Sequence, residues 1–310
     1  MIAKPRMPQT FAITGATGLI GRHLATLLRK QGHTVHALAR SSADAADSWN
    51  PGTGRFQTAS PIDTLIHLAG KNVATRWTTR AKKEIWDSRV AATEKLARFL
   101  ATLPADQRPR LFLSASAIGI YGNRADEVLT EDSAPAEPGR LFLADLCRAW
   151  EAAARPAEDA GIRIVHPRIG VVLARESGAL AKLRTPTRLG LAGPVGKGTQ
   201  WIPWISLTDL TRLLAQLAAD QGDLRGPINA VGPAPVRQHE FIRTLGRVLH
   251  RPTIFPLPAF AVQLVFGQMG TEALLTSLRV ISSRIPQDFQ FEHSTLEAAI
   301  RAELALPVTA

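Results

Sequence analysis

Apolar positions in this chain change their spacing in a regular rhythm. A short run, Phe11-Ala12-Ile13, gives way to Ile20, Leu24, Leu27 and Leu28 at helical spacing. The run predicts a buried strand and the stripe an amphipathic helix, which Gly32 ends. Thr34-Val35-His36-Ala37-Leu38-Ala39 predicts the next strand. The rhythm returns with a strand at Asp63 to Gly70, in which His67 reads as a strand histidine rather than a ligand. A helix follows from roughly Thr79 to Leu100, with Val90, Ala97 and Leu100 on one face. Leu111 to Ser116 is another strand, and about Leu141 to Ala154 is a helix carrying Phe142, Leu146, Trp150 and Ala153 inward. Ile162 to Arg168 and Val171 to Leu173 continue the sheet or leave it.

Strands alternating with helices imply an α/β protein with a Rossmann-type, doubly wound parallel sheet and helices on both faces. Residues 41 to 62 are short for a complete helix–strand unit and contain the turn cluster Asn50 to Gly54, so a reduced crossover is expected there. Beyond Gly178 the rhythm breaks. A glycine-rich stretch, Arg188 to Gly198, and the tryptophans of Trp201-Ile202-Pro203-Trp204-Ile205 suggest either a substrate-covering loop or a plain surface connection. Helical patterns resume at about Leu207 to Leu217, Arg237 to Leu249 and Thr295 to Leu304, the last opened by the capping box Ser294-Thr295-Leu296-Glu297. The expected division is a nucleotide-binding domain over 1–175 and a smaller lobe over 176–310, with room for strands returning to the main sheet.

The first strand ends in Gly15-Ala16-Thr17-Gly18-Leu19-Ile20-Gly21. Gly15 lets the chain leave the strand sharply, Gly18 lets backbone approach a pyrophosphate, and Gly21 lets helix and strand pack closely. The phosphates would lie over the free N–H groups of the helix start. Arg40, at the end of the second strand, stands where an acidic residue would grip ribose hydroxyls; an arginine accommodates a 2′-phosphate and argues for NADP(H) over NAD(H).

Composition narrows the partners. Apolar residues make up 45% and charged residues 20%, an ordinary globular balance. One cysteine, Cys147, excludes an intramolecular disulfide, and no Cys/His cluster has zinc spacing, so no metal is expected. The net charge of +11 is spread along the chain without a basic run interleaved with aromatics, which fits a solvated surface and an anionic ligand better than a specific nucleic-acid partner. Residues 1–10 lack a signal-peptide core, and Gln263, Gln268 and Glu272 interrupt the apolar stretch from Phe260 to Leu275. A cytoplasmic protein with no membrane partner is expected, as a monomer or homodimer.

The chain resembles an extended short-chain dehydrogenase/reductase, of the epimerase-family type also labelled nucleoside-diphosphate-sugar epimerase or cell-division inhibitor. The glycine turn, Leu68-Ala69-Gly70, Lys83 to Val90, Ser114-Ala115-Ser116-Ala117, Tyr121-Gly122, Trp150-Glu151-Ala152-Ala153, Arg168 to Leu173 and Pro203-Trp204-Ile205 carry the resemblance. Arg279-Val280-Ile281 and Thr295 to Ala299 match a distinctive C-terminal segment. The resemblance implies NADP(H) held by Gly15, Thr17, Gly18, Leu19, Ile20, Gly21, Arg40, Ser41, Leu68, Ala69, Gly70, Glu84, Arg89 and Val172. Arg89 could pair with a phosphate and Glu84 accept from a hydroxyl; a solvated helix ion pair is the alternative for both.

Reductases of this superfamily use a Tyr-x-x-x-Lys pair to exchange a proton with the substrate oxygen. Here Tyr121 is the one tyrosine, the residue four positions on is Ala125, and no lysine occurs between Lys95 and Lys182. Aligning the helix by Trp150-Glu151 puts Leu143 and Cys147 in the places of the pair. Three outcomes compete. Ser116, resembling the superfamily's catalytic serine, holds a substrate oxygen with Tyr121 or water as proton donor; Cys147 acts as acid or nucleophile against its inert-thiol reading; or no turnover occurs and the protein is an NADP(H)-binding sensor or regulator. The leading expectation is an NADP(H)-dependent oxidoreductase or epimerase acting on a small hydroxyl- or carbonyl-bearing substrate.

Overall fold

The computed structural model describes residues 7–40 and 46–306. Its first half runs β1 (Thr10–Thr14), α1 (Leu19–Lys30), β2 (Thr34–Arg40), β3 (Ser48–Trp49), β4 (Phe56–Gln57), β5 (Thr64–His67), α2 (Thr79–Trp86) and α3 (Ala92–Thr102). It continues through β6 (Leu111–Ser114), β7 (Ser116–Ala117), β8 (Val128–Leu129), α4 (Phe142–Ala152), α5 (Arg155–Asp159) and β9 (Arg163–Ile169). The remainder is β10 (Val171–Leu173), α6 (Gly178–Arg188), β11 (Trp201–Ile202), β12 (Trp204–Ser206), α7 (Leu207–Ala219), β13 (Gly226–Ala230), β14 (Val236–Arg237), α8 (Gln238–Leu249), α9 (Ala259–Phe266), β15 (Arg279–Val280) and α10 (Leu296–Glu303).

The main sheet has the order β4-β3-β2-β1-β5-β6-β9-β13, with β7 also on β9. Every pair in it is parallel except β3 with β4. Strand order reverses between β1 and β5, with adjacent crossovers on opposite faces, the place at which sheets of this kind form a crevice outside the strands' carboxyl ends. One face is covered by α1 and α7, whose Leu24, Leu28, Leu210, Leu213 and Leu214 pack on Phe11, Ile13 and Leu113. The other is covered by α3 and α5, with Leu96, Ala97, Leu100 and Ala157 on Leu65, Phe112 and Ile164. The expected doubly wound α/β architecture is the observed one.

One local expectation is revised, the unbroken helix, while the reduced crossover expected after β2 is borne out and the open choice at Val171 to Leu173 is decided. The crossover after β2 is completed by the β3–β4 hairpin, which shields the sheet edge in place of a helix. The helix expected over Thr79 to Leu100 is interrupted by a π-helical turn at Asp87–Ala91. Val171 to Leu173 leaves the main sheet and pairs with Trp204 to Ser206, because Gly170 packs against the Pro203 and Ala230 carbonyls. Beyond Gly178 the chain serves both parts of the molecule. Helix α7 and strand β13 complete the main sheet, whereas α6, α8 and α10 build a second core around Leu180, Phe241, Ile242, Leu245 and Ile300. The stretch of Arg188 to Gly198 packs along residues 252–259, with Val195 bridged to Leu257. Trp201 pairs with Arg237 on β14, and its ring lies against the guanidinium groups of Arg237 and Arg279. Among the described residues no helix is long and apolar enough to cross a membrane, and no group of three or more His, Cys, Asp or Glu side chains could hold a metal.

Candidate functional site

The glycine turn closes β1 onto α1 with little room to spare. Gly15 has φ +74°, and a Cβ there would lie 2.8 Å from the Ala69 nitrogen. A Cβ on Gly21 would fall 2.2 Å from the Gly15 carbonyl oxygen, so helix and strand meet at a distance that excludes any side chain. The Gly18 N–H donates to the Gly15 carbonyl at 2.9 Å and tightens the turn. At its start α1 has no side-chain cap and no acidic residue in its first turn. No described side chain caps its first N–H groups, which lie in the field of the positive end of the helix dipole. Thr17 and Gly18 are exposed there, and Leu19 and Ile20 are half-buried.

Across the crevice β5 delivers Leu68, Ala69 and Gly70 beside Gly15. The π-helical turn brings Arg89 against Gly70, with the guanidinium carbon 3.0 Å from where a Cβ would stand on that glycine. Arg89 donates to the Lys71 carbonyl at 2.7 Å and lies 5.2 Å from the Trp150 ring centroid. It makes no ion pair with any described carboxylate, and burial lowers its pKa. A cation held this way lacks the anion that would repay its desolvation. Glu84, by contrast, is already engaged. Its carboxylate accepts from Lys71 and from Arg80 at 2.9 Å, and these bonds hold its pKa below the usual carboxylate range. Arg40 is exposed at the end of β2, and Ser41 lies outside the described residues. Val172 sits half-buried on β10, whose first residue directly follows the glycine that ends β9's run.

His67, at the end of β5, is fully buried, with Nδ1 2.6 Å from the Thr14 hydroxyl. Burial and then the charge of Arg89 push its pKa down to about 3, so it is a neutral strand residue.

The two hydroxyls singled out for catalysis both fall into one buried network. Ser116 is 2% exposed and donates to Glu151 Oε1 at 2.7 Å. Arg168 clamps the same carboxylate, with Nε 2.8 Å from Oε1 and a terminal nitrogen 2.9 Å from Oε2. The other terminal nitrogen donates to the Tyr121 hydroxyl at 2.9 Å. Tyr121, fully buried, donates in turn to Asn229 Oδ1 at 2.7 Å. The Asn229 N–H donates to Glu131 at 2.8 Å, and Glu131 also accepts from the Ser282 hydroxyl and from the Ser283 N–H and hydroxyl. The chain of contacts thus runs from the sheet to the C-terminal segment. Arg168, with a smaller contribution from the Ser116 bond, outweighs burial at Glu151, and hydrogen bonds from Ser282, Ser283 and Asn229 do so at Glu131, so both lie below the ordinary carboxylate range. Burial pushes the Tyr121 hydroxyl up. It also lifts the Cys147 thiol to about 12, the nearby Glu151 adding to the effect, so that cysteine is a protonated, unreactive side chain.

The structure thus gathers the glycine turn, Leu68, Ala69, Gly70 and Arg89 around one crevice. It sets Tyr121 apart, behind Arg168. Glu151, Arg168, Glu131 and Asn229 were not singled out from sequence as a working set. A signal was present: Arg168 lies in a run of strand residues and Glu151 follows Trp150 on an inward helix face, and charges so placed require partners.

Residues 11–230 match the model of the NAD dependent epimerase/dehydratase family, and residues 257–303 match a domain of unknown function, DUF1731. The chain is 40% identical to an epimerase family protein of Mycobacterium tuberculosis over 295 residues, covering 93% of this chain and 95% of that one. It is 34% identical to the human epimerase family protein SDR39U1, covering 94% and 99%. The crystal structure of human SDR39U1 with NADPH superimposes with a TM-score of 0.86 at 33% identity, over 96% of this chain and 99% of that chain. A UDP-glucuronic acid 4-epimerase from Bacillus cereus shares the fold, with a TM-score of 0.70 at 16% identity over 96% of each chain. The chain therefore belongs to the NAD dependent epimerase/dehydratase family, as an extended short-chain dehydrogenase/reductase carrying a DUF1731 segment at its C-terminal end.

Proposed function

We infer that the chain binds NADP(H) and acts as an oxidoreductase or epimerase on a small hydroxyl- or carbonyl-bearing substrate. The observation that carries the binding half is Arg89, a half-buried guanidinium that makes no ion pair among the described residues, held beside an uncapped helix start and a glycine cradle. The human relative solved with NADPH supports it. In this reading the N–H groups at the start of α1 take the pyrophosphate, Arg89 takes a further anionic or hydroxyl oxygen, and Arg40 with Ser41 meets the 2′-phosphate. Leu68, Ala69, Gly70 and Val172 offer the flat walls. Glu84 fits best as the partner that positions Lys71 at the rim, since its own oxygens are engaged.

When bound, the cofactor supplies or accepts the hydride. The chain's own task is to fix the substrate oxygen and handle its proton. The Ser116 proton is donated to Glu151, so the lone pairs of Ser116 are what it offers to a ligand. That polarity suits a substrate hydroxyl, which donates to Ser116 while the Ser116 proton moves onto Glu151. Arg168 keeps Glu151 ionised and makes it a weak base, which predicts slow turnover. Tyr121 serves as a positioning residue for Arg168 rather than as the proton donor.

A second reading, a non-catalytic NADP(H)-binding sensor, draws on the near-complete burial of Ser116. One assay separates the two. Reduction of NADP+ with a panel of alcohols, and oxidation of NADPH with the matching carbonyls, is followed in the native chain and in Ser116→Ala. Substrate-dependent turnover that falls by about 100-fold or more in the variant supports the enzyme. Equal turnover in both discards the Ser116 role, and cofactor binding without turnover favours the sensor.

A further inference from the structure

Large apolar side chains are exposed on one part of this molecule far more than elsewhere. Of eleven such side chains among the described residues, nine lie in residues 189–191 or 254–274. Ile254, Phe260 and Leu264 stand 70%, 70% and 75% exposed. Helix α9 is apolar around almost its whole circumference yet buries only Val262. The two stretches form one continuous surface, with Gly190 against Pro252, Gly193 against the Phe255 backbone, and Gly196 beside Ala259. A contiguous apolar face of this kind marks an interaction site.

Charge identifies what it meets. Residues 177–198 and 251–271 contain Lys182, Arg184, Arg188, Lys197 and Arg251, and no carboxylate. None of these five cations makes an ion pair among the described residues, although nineteen ion pairs are distributed over the rest of the chain. Lys82 reaches the same face and donates to Gln268. Two acids adjoin these stretches in sequence: Glu176 is exposed but pairs with Arg22, and Glu272 is turned inward and accepts from the N–H groups of Phe142 and Leu143 at the start of α4. The face is thus apolar at its centre and cationic at its rim. A second copy of this chain would bring like charges together across it. The exposed apolar side chains form an apolar face with a cationic edge, which suits a soft anionic surface.

We propose that this face docks on an anionic phospholipid bilayer, with α9 and residues 254–257 entering the headgroup boundary and the basic rim meeting lipid phosphates. No helix spans the bilayer; the chain lies on it. The proposed contact is peripheral, so it goes beyond what the lack of a membrane-crossing helix among the described residues bears on, and it is independent of the cofactor reading.

The test is co-sedimentation of the purified full chain with vesicles at roughly physiological ionic strength. Vesicles of phosphatidylcholine alone are compared with vesicles also containing phosphatidylglycerol. The native chain is expected to sediment with the anionic vesicles and to stay in solution with the neutral ones. Phe260→Ser combined with Leu264→Ser, both at exposed positions, should weaken partitioning by about tenfold or more without lowering the unfolding temperature. Arg184→Glu combined with Lys197→Glu should do the same through the rim. Failure of the native chain to sediment overturns the proposal. Binding that survives the apolar double variant also overturns it, because the spread net charge then accounts for the attraction. Self-association of the native chain that the apolar variant abolishes would instead assign the face to a second copy.

Discussion

Two polar regions flank the crevice, and they differ in how their hydrogen-bonding capacity is spent. In the buried network, the charges of Glu151, Arg168 and Glu131 and the hydroxyls of Ser116 and Tyr121 all have protein partners. At the glycine turn the helix start is uncapped, and Arg89 has carbonyl, hydroxyl and aromatic neighbours but no carboxylate partner among the described residues. A buried polar group satisfied by its own chain is there for the fold; a desolvated one left short is there for something the chain lacks. Ser116 stands at the border, in the first region by its bond and beside the crevice by its place at the end of the sheet.

The sharpest way to break this contrast is to remove one arginine from each region. Arg168→Met leaves the Glu151 carboxylate buried without its cation, a loss of roughly 3–5 kcal/mol and of roughly 10 °C in unfolding temperature. Arg89→Met removes a cation that has no carboxylate, so thermal stability should hold or rise. Equal destabilisation by the two, read by thermal unfolding, would erase the distinction.

Acid gives the next effect. A folded His67 with a pKa near 3 cannot take the proton that the unfolded chain binds at about 6.5. The unfolded state therefore holds more protons in this window, and stability present above about pH 6.5 is lost as pH falls toward 3. His166, also lowered by burial, acts in the same direction. Glu151 and Glu131, held below their ordinary value of 4.5, add a further loss beneath it. Unfolding temperature measured against pH should fall from just below neutrality, and His67→Gln should flatten the upper part of the fall. A flat profile down to pH 4 would contradict the burial of a neutral histidine.

The smallest effect belongs to Arg40, which is exposed and so acts through solvent. NADPH should bind more tightly than NADH by a few-fold to about tenfold, or about 1 kcal/mol, and Arg40→Glu should remove the preference. Identical affinities in the native chain would withdraw the 2′-phosphate assignment.

The cradle was legible in the sequence because its requirement is local. A positive φ at Gly15 and the close approach at Gly21 are demanded by the neighbouring backbone, and spacing alone reveals them. The α/β alternation was legible for the same reason, since each strand and helix announces its own period. The buried network was not. Glu151 and Arg168 lie on a helix and a strand seventeen residues apart, and Asn229 meets Tyr121 across 108 residues. Tyr121 lies in a turn, where the sequence shows no partner for it; it is buried by Leu129, Val231 and Val280, which come from three distant parts of the chain. The exit of β10 from the main sheet is one of two readings the sequence leaves open, and it is decided by Trp204 to Ser206 offering an alternative edge.

The central claim is that the glycine turn and Arg89 together await a phosphorylated dinucleotide. Calorimetric titration of NADPH into the native chain and into Arg89→Met tests it most directly. The account predicts one site per native chain and a loss of roughly 10- to 100-fold in affinity in the variant, the worth of charge-assisted hydrogen bonds, with the unfolding temperature unchanged. No binding to the native chain, or equal affinity in the two, would contradict it.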